Sequence, residues 1–245
     1  MSYFRKPLRQ RGAATTSFGK NLCQPALHAW WRPFGLLPFL PRIWMRVRRP
    51  VTLQWEAAQS RQYLYAGAAN GTTVAAWKQS ARGERAHLWG TSYGQTLLDL
   101  VKAFERIQHK HLVQQAATLG YRMWLIRLSL ATYRMRRVLR IGDAISDAVV
   151  ATRGITAGSG TATTEMRLSM IDIVDQALEQ YQCVDPTLYV DDLSAEVAGP
   201  GEWGETNLVG FIRSVCDGVR EAGMEISATR SVCTALIWKP GVTFV

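Results

Sequence analysis

The sequence predicts an α+β fold, an antiparallel sheet with helices packed on one face. Three observations lead there. Short apolar runs of strand length alternate with longer stretches in which apolar residues recur every three to four positions. Residues 187–197 read as two strands meeting in a tight turn at Asp191-Asp192. The composition, 47% hydrophobic and 20% charged, gives a chain of 245 residues enough apolar mass for a core. Nine Trp and seven Phe exclude a fully disordered chain, because that much apolar surface is not left in water. The best candidate for a membrane span, residues 30–45, is broken by Arg32, Arg42 and three prolines. It falls short of the ~20 apolar residues a spanning helix needs, so no membrane partner is expected.

The elements follow in order. Residues 1–50 read as a basic, Pro-rich, poorly ordered arm, because Pro7, Pro25, Pro33, Pro38, Pro41 and Pro50 interrupt every period. The globular region, 51–245, begins with a helical stretch over 52–87, broken at Asn70-Gly71. Residues 96–101 form a short apolar strand that carries one charge, Asp99. A helix over 108–119 places Leu112, Ala116 and Leu119 on one face and stops at Gly120. Residues 121–135 continue as helix, and 138–150 form a hairpin turning at Gly142-Asp143. A Gly-rich loop at 154–160 opens a helix over 161–181 with Met166, Met170, Ile173, Val174 and Leu178 inward. After the 187–197 hairpin comes an amphipathic helix over 202–222 ending at Gly223, and a last strand at 234–238.

Charge is distributed unevenly. The net charge is +10, yet residues 1–50 hold ten Lys/Arg and no acid, and 122–140 hold six Arg and no acid. One-sign fields of this kind attract polyanions, nucleic acid above all. For the N-terminal block two readings fit equally, a nucleic-acid-binding arm and an Arg-rich organelle-targeting leader. The four cysteines form no CxxC pair and no zinc spacing, which points to reduced thiols in an intracellular protein of nucleus or cytoplasm. His109 and His111 stand two apart on a helix and point away from each other, so they make no metal pair.

The carboxylates carry the chemistry. Asp99 sits in the apolar run Leu97-Leu98-Asp99-Leu100-Val101, where an unpaired charge costs several kcal/mol. Tyr189-Val190-Asp191-Asp192-Leu193 sets two adjacent carboxylates at a hairpin tip, where like charges repel unless a cation lies between them. If the two strand segments pair, Asp99, Asp191 and Asp192 converge. Hard oxygen donors of this sort suit Mg²⁺ or Mn²⁺, and a pair of such ions is the two-metal arrangement of polymerases and nucleases.

These residues resemble reverse transcriptases, in particular those of non-LTR retroelements. Leu98-Asp99-Leu100-Val101-Lys102-Ala103-Phe104-Glu105, followed by His109 and Leu112, is similar to that family's first motif. Arg153-Gly154-Ile155-Thr156-Ala157-Gly158-Ser159 is similar to the second, and Tyr189-Val190-Asp191-Asp192 to the third. Glu221-Ala222-Gly223-Met224-Glu225-Ile226-Ser227, continuing to Arg230-Ser231, is similar to the fourth. The ordered set spans roughly residues 75–238.

The resemblance implies a polymerase palm-type sheet with partial fingers and no complete thumb. It implies RNA-directed DNA polymerase activity with two Mg²⁺ (or Mn²⁺) ions on Asp99, Asp191 and Asp192. RNA template, DNA primer and deoxynucleoside triphosphates would be the partners. Phe104 would lie beneath the incoming sugar or else be plain core. Gly154 and Gly158 would let the backbone approach nucleotide or template, Tyr189 would lie beside the primer end, and Arg230 would neutralise phosphate charge. The chain departs from the family at three places. Thr156-Ala157-Gly158 stands where Pro-Gln-Gly is usual, Arg230 where a Lys is usual, and Glu105 where an Asp is usual. Arg keeps its proton at any working pH and is a poor general acid. These departures leave two alternatives: a degenerate retroelement fragment that binds RNA without efficient catalysis, and a basic RNA-binding module.

Overall fold

The computed structural model describes residues 2–4, 33–35, 37–66, 71–156 and 158–236. Its centre is a five-stranded sheet in the order β3-β7-β8-β4-β9, built from Leu64–Tyr65 (β3), Ser92–Leu98 (β4), Asp185–Tyr189 (β7), Asp192–Gly199 (β8) and Val232–Leu236 (β9). All neighbours are antiparallel except β3 and β7. The central pairing sets Ser92 opposite Gly199 and Leu98 opposite Leu193. Period-two alternation then sends Leu98, Leu188, Leu193, Ala195 and Val197 to one face, where all are buried.

That face is covered by Ala162–Gln180 (α6) and Gly201–Glu221 (α7). Helix α6 is buried around most of its circumference, from Met166 through Met170 to Val174 and Ala177, with Leu178 at the margin. In α7, Leu208, Phe211, Val215 and Val219 form the buried stripe, and the helix stops where Gly223 takes a φ of +79°. His109–Thr118 (α4) and Met123–Tyr133 (α5) pack behind α6, the first closed by Gly120 at φ +65°. The fold is thus α+β with an antiparallel hairpin at its centre and a helical layer. The second face also carries a helix, Thr72–Leu88 (α2). Here Gln79 donates to Ser194, and Arg82 reaches Glu196 at 3.3 Å and Asp185 at 3.5 Å. A smaller sheet, β2-β1-β5-β6, joins Pro33–Gly35 and Ser2–Phe4 to the hairpin Leu139–Ile141 and Ala144–Ile145, which turns at Gly142-Asp143.

The amino-terminal half differs from expectation. Phe39–Ala58 (α1) is one helix, so the boundary expected at residue 50 falls inside it. Most of the expected arm lies outside the described residues. Pro41 stands in the first turn, where its missing N–H has no partner to lose. Pro50 is on the solvent side, while Met45, Thr52 and Trp55 bury the opposite side before and after it. Trp55 donates its ring N–H to the Leu119 carbonyl at 2.9 Å and meets Tyr121 edge-on at 5.1 Å. The helix expected over 52–87 is therefore the end of α1, the short strand β3, and α2, which opens after Gly71. Cys183, Cys216 and Cys233 are free thiols, and Cys23 lies outside the described residues.

Candidate functional site

The site forms where β4 ends and the β7–β8 hairpin turns. Strand β4 stops at Leu98, one residue before Asp99, rather than running through it to residue 101. The backbone then changes partner. Val101 N–H donates to Glu225 C=O at 2.7 Å, Ser227 N–H donates to Asp99 C=O at 2.8 Å, and Leu100 bridges Ile226. The segment 225–236 therefore flanks β4 twice, and its connecting loop brings Ser231 and Arg230 to Asp99. The Asp99 N–H donates to the Ser231 hydroxyl at 3.2 Å, and the Arg230 guanidinium stands 3.4 Å from Asp99 Oδ2.

At the hairpin, Tyr189 pairs with Asp192 and leaves a two-residue loop of Val190 and Asp191. Val190 has a φ of +63°, the pattern of a II′ turn. For a β-branched residue that conformation costs on the order of 1–3 kcal/mol. Asp191 thus sits on the turn itself, while Asp192 opens β8. The sequence reading placed both at the tip.

The three carboxylates share one electrostatic environment. Burial pushes the Asp191 carboxyl above the usual range, and the charges of Asp192, Asp99 and Glu105 push it further. Asp192 is raised by burial and then by Asp99. The register that sets Leu98 opposite Leu193 puts Asp99 and Asp192, some ninety positions apart in sequence, at the same end of neighbouring strands, and Glu105 belongs to the same field. Asp99 is 27% exposed, and its Oδ2 is a buried oxygen with no hydrogen-bond partner.

The donor chemistry fits a hard divalent cation: oxygen donors only and mutual repulsion. As they stand, no three His, Cys, Asp or Glu among the described residues are drawn close enough to hold a metal. The Arg230 guanidinium supplies a countercharge beside Asp99. Its side chain is 66% exposed, on a loop, and free to swing.

The glycine loop is stitched to the segment after Asp99. Ile155 N–H donates to Phe104 C=O at 2.6 Å and Gly154 N–H to Ile107 C=O at 2.8 Å. His109 Nε2–H donates to Gly154 C=O at 2.9 Å, and Arg134 approaches the other ring nitrogen at 3.4 Å. Burial, with Arg134 and Arg137 nearby, lowers the His109 pKa and keeps the ring neutral. Gly154 has a φ of +88°, and a Cβ there would lie 2.7 Å from the Glu105 carbonyl oxygen. The close approach that Gly154 permits is therefore to this chain's own backbone, where the sequence reading assigned it to a ligand. Gly158 takes a φ of +90°, and Ala157 lies outside the described residues. Phe104 is half-buried against the core, and Tyr189 is half-buried between Tyr65 and Asp192.

Two buried acids escaped the sequence reading. Glu196 sits in β8, 1% exposed, paired to Arg82. Glu165 is fully buried in α6, accepts from Tyr133 Oη at 2.5 Å, and leaves its Oε1 without a partner. Glu196 follows the period-two pattern of its strand, but nothing in the sequence indicates that α2 covers that face. An apolar groove of about 850 Å³ lies elsewhere, between α7 and β4/β9, with Gly94, Leu208, Ile212 and Leu236 in its walls and none of the site residues.

No protein-family model matches this chain, and no curated protein matches it. Solved structures do. Apo telomerase from Candida tropicalis, truncated from its C-terminal domain, superposes with a TM-score of 0.57 at 14% identity, over 82% of this chain and 42% of that one. Telomerase from Candida tropicalis in complex with a TWJ fragment of telomeric RNA gives 0.57 at 11% identity, over 81% and 35%. The Candida albicans telomerase in the corresponding complex gives 0.55 at 11% identity, over 83% and 35%. The chain thus spans well under half the length of these neighbours. Its fold is reverse-transcriptase-like.

Proposed function

We propose that this chain is the palm, with part of the fingers, of an RNA-directed DNA polymerase of the non-LTR retroelement kind. The observation that supports the proposal is the strand register that sets Leu98 opposite Leu193 and Tyr189 opposite Asp192, so that Asp99 and Asp192 follow at the same end of neighbouring strands in a reverse-transcriptase-like sheet. An RNA partner is also in keeping with the telomeric RNA held by the second and third neighbours.

In this reading Asp99, Asp191 and Asp192 hold two Mg²⁺ or Mn²⁺ ions, which supply charge neutralisation and activation of the attacking oxygen. The primer 3′-oxygen bonds to the α-phosphorus of a deoxynucleoside triphosphate, and the bond to pyrophosphate breaks. Phe104 supports the sugar and excludes a 2′-hydroxyl. Tyr189 lies at the primer end, Gly158 leaves room for the nucleotide, and Arg230 moves from Asp99 to the triphosphate, where it neutralises charge without donating a proton.

The test is primer extension on an RNA template with Mg²⁺ or Mn²⁺. Extension that needs deoxynucleotides and disappears in Asp191→Asn is expected. No product from the intact protein, or product unchanged by the substitution, overturns the reading. The Arg230–Asp99 pair favours a second reading, a chain that keeps the fold and binds RNA without turnover. Salt-dependent RNA binding with no incorporation would select it.

A further inference from the structure

We infer that Tyr133 is a positioning residue, oriented by Glu165, that fixes the glycine loop from its buried side and so sets how tightly the nucleotide is held. The loop is tied in three places, each time by the end of α5 or the residues just after it. Arg137 donates to the Thr156 hydroxyl at 2.7 Å. Arg134 approaches His109, whose ring holds the Gly154 carbonyl. The Tyr133 hydroxyl lies 2.8 Å from Oγ of Ser159, the first side chain past Gly158. Gly158 itself is exposed and has a φ of +90°. A glycine carries no side chain with which to hold itself, so the place of Gly158 is set by its tied neighbours.

The hydrogen bonds run in one direction. Tyr133 has a single hydroxyl proton and gives it to Glu165 Oε2 at 2.5 Å. Its oxygen is left to accept, which makes the Ser159 hydroxyl the donor between them. Ser159 Oγ in turn accepts from Thr161, through the hydroxyl at 3.0 Å and the N–H at 3.3 Å. Thr161 caps the start of α6 and meets Ser129 of α5 at 3.4 Å. The series therefore joins the first turn of α6 to the loop, and the loop through α5 back to α6 at Glu165.

Stability alone does not explain this network. Tyr133, Glu165 and Ser129 are wholly enclosed, and Glu165 Oε1 has no partner. An enclosed acid with an idle oxygen costs free energy that an apolar residue of similar shape would not. What the acid supplies is direction. It takes the Tyr133 proton and turns the phenol oxygen's lone pair toward Ser159.

The inference rests on the polymerase reading for what Gly158 faces but not for the tether, so its test has two readouts on the full chain. Hydrogen exchange at the amides of 158–162 is followed without nucleotide or template, with the amides of 185–199 as an internal reference. Tyr133→Phe should speed exchange at 158–162 about tenfold and leave the reference unchanged, because one hydrogen bond is lost at one place. In primer extension it should raise the KM for deoxynucleotide by about the same factor with kcat nearly retained. Ser159→Ala cuts the same bond from its half-buried end, and decides the matter if Tyr133→Phe does not fold. Tyr63→Phe deletes another buried hydroxyl, bonded to Asp175 at 2.6 Å further along α6, and should change neither readout. Unchanged exchange at 158–162, a rise shared equally by the reference amides, or the same rise in Tyr63→Phe would overturn the inference. So would a loosened loop with an unchanged KM. If even the unchanged protein extends no primer, the polymerase reading falls, and the tether stands or falls on exchange.

Discussion

Individual side chains decide how this fold answers to pH. Glu165 is fully enclosed, and burial pushes its carboxyl up to about 7. The folded protein therefore keeps that proton after the unfolded chain, titrating near ~4.3, has released its own. A carboxyl raised by folding lowers stability as pH climbs from the unfolded value through the folded one, and the loss is complete above about 7. The size is on the order of 3 kcal/mol. Glu165→Gln removes the titration while keeping the shape and the bond to Tyr133. Its urea midpoint should decline less between about pH 5 and about pH 8 than that of the unchanged protein. A decline of equal size in the variant would show that Glu165 is not the titrating group.

The same residue shows a limit of sequence reading. The helical period of residues 161–181 correctly turned Met166, Met170 and Val174 inward. It could not show that α6 is wrapped on nearly every side, so nothing in that period singles out Glu165. Asp99 was the opposite case. A charge in an apolar run is costly wherever that run lies, so its importance could be argued from its neighbours alone. Its placement one residue past the strand depends on 225–227, a distant partner that the local run does not reveal.

Among elements, the legible ones carry their own signals. The β7–β8 hairpin alternates and turns on Asp191; α4 and α7 end at glycines with positive φ, at Gly120 and Gly223. Strand β3 was invisible because it has two residues and a parallel partner about 124 positions away. Helix α1 was hidden by prolines that read as breakers, although Pro41 costs nothing in a first turn and Pro50 faces water. If α1 belongs to the folded unit, Trp55→Ala should destabilise the protein by about 3–5 kcal/mol, since it leaves a cavity and removes one of the two side-chain bonds to the Leu119 carbonyl. Chemical denaturation measures this. A loss under ~1 kcal/mol would detach the helix from the cooperative core.

Across the whole molecule, acids stand at one end of the sheet while exposed arginines line α1 and α5, within a chain of net charge +10. Among the described residues no helix is long and apolar enough to cross a membrane. The fold class, the hairpin and the candidate acids could be read from the sequence because each leaves a local mark. The Arg230–Asp99 pair, the clamp of the glycine loop by His109, and the covering of Glu196 by α2 could not. Each joins segments whose meeting only the tertiary fold determines.

The central claim is that Asp99 and the Asp191–Asp192 pair act as one cation site. Titration with Mn²⁺, read by loss of the free-ion electron paramagnetic resonance signal near neutral pH, tests it without any need for turnover. Asp99→Asn and Asp191→Asn should each weaken binding by at least about tenfold, because each removes one charge from the same set of oxygens. Undiminished binding in Asp99→Asn, alongside a loss in Asp191→Asn, would contradict the account.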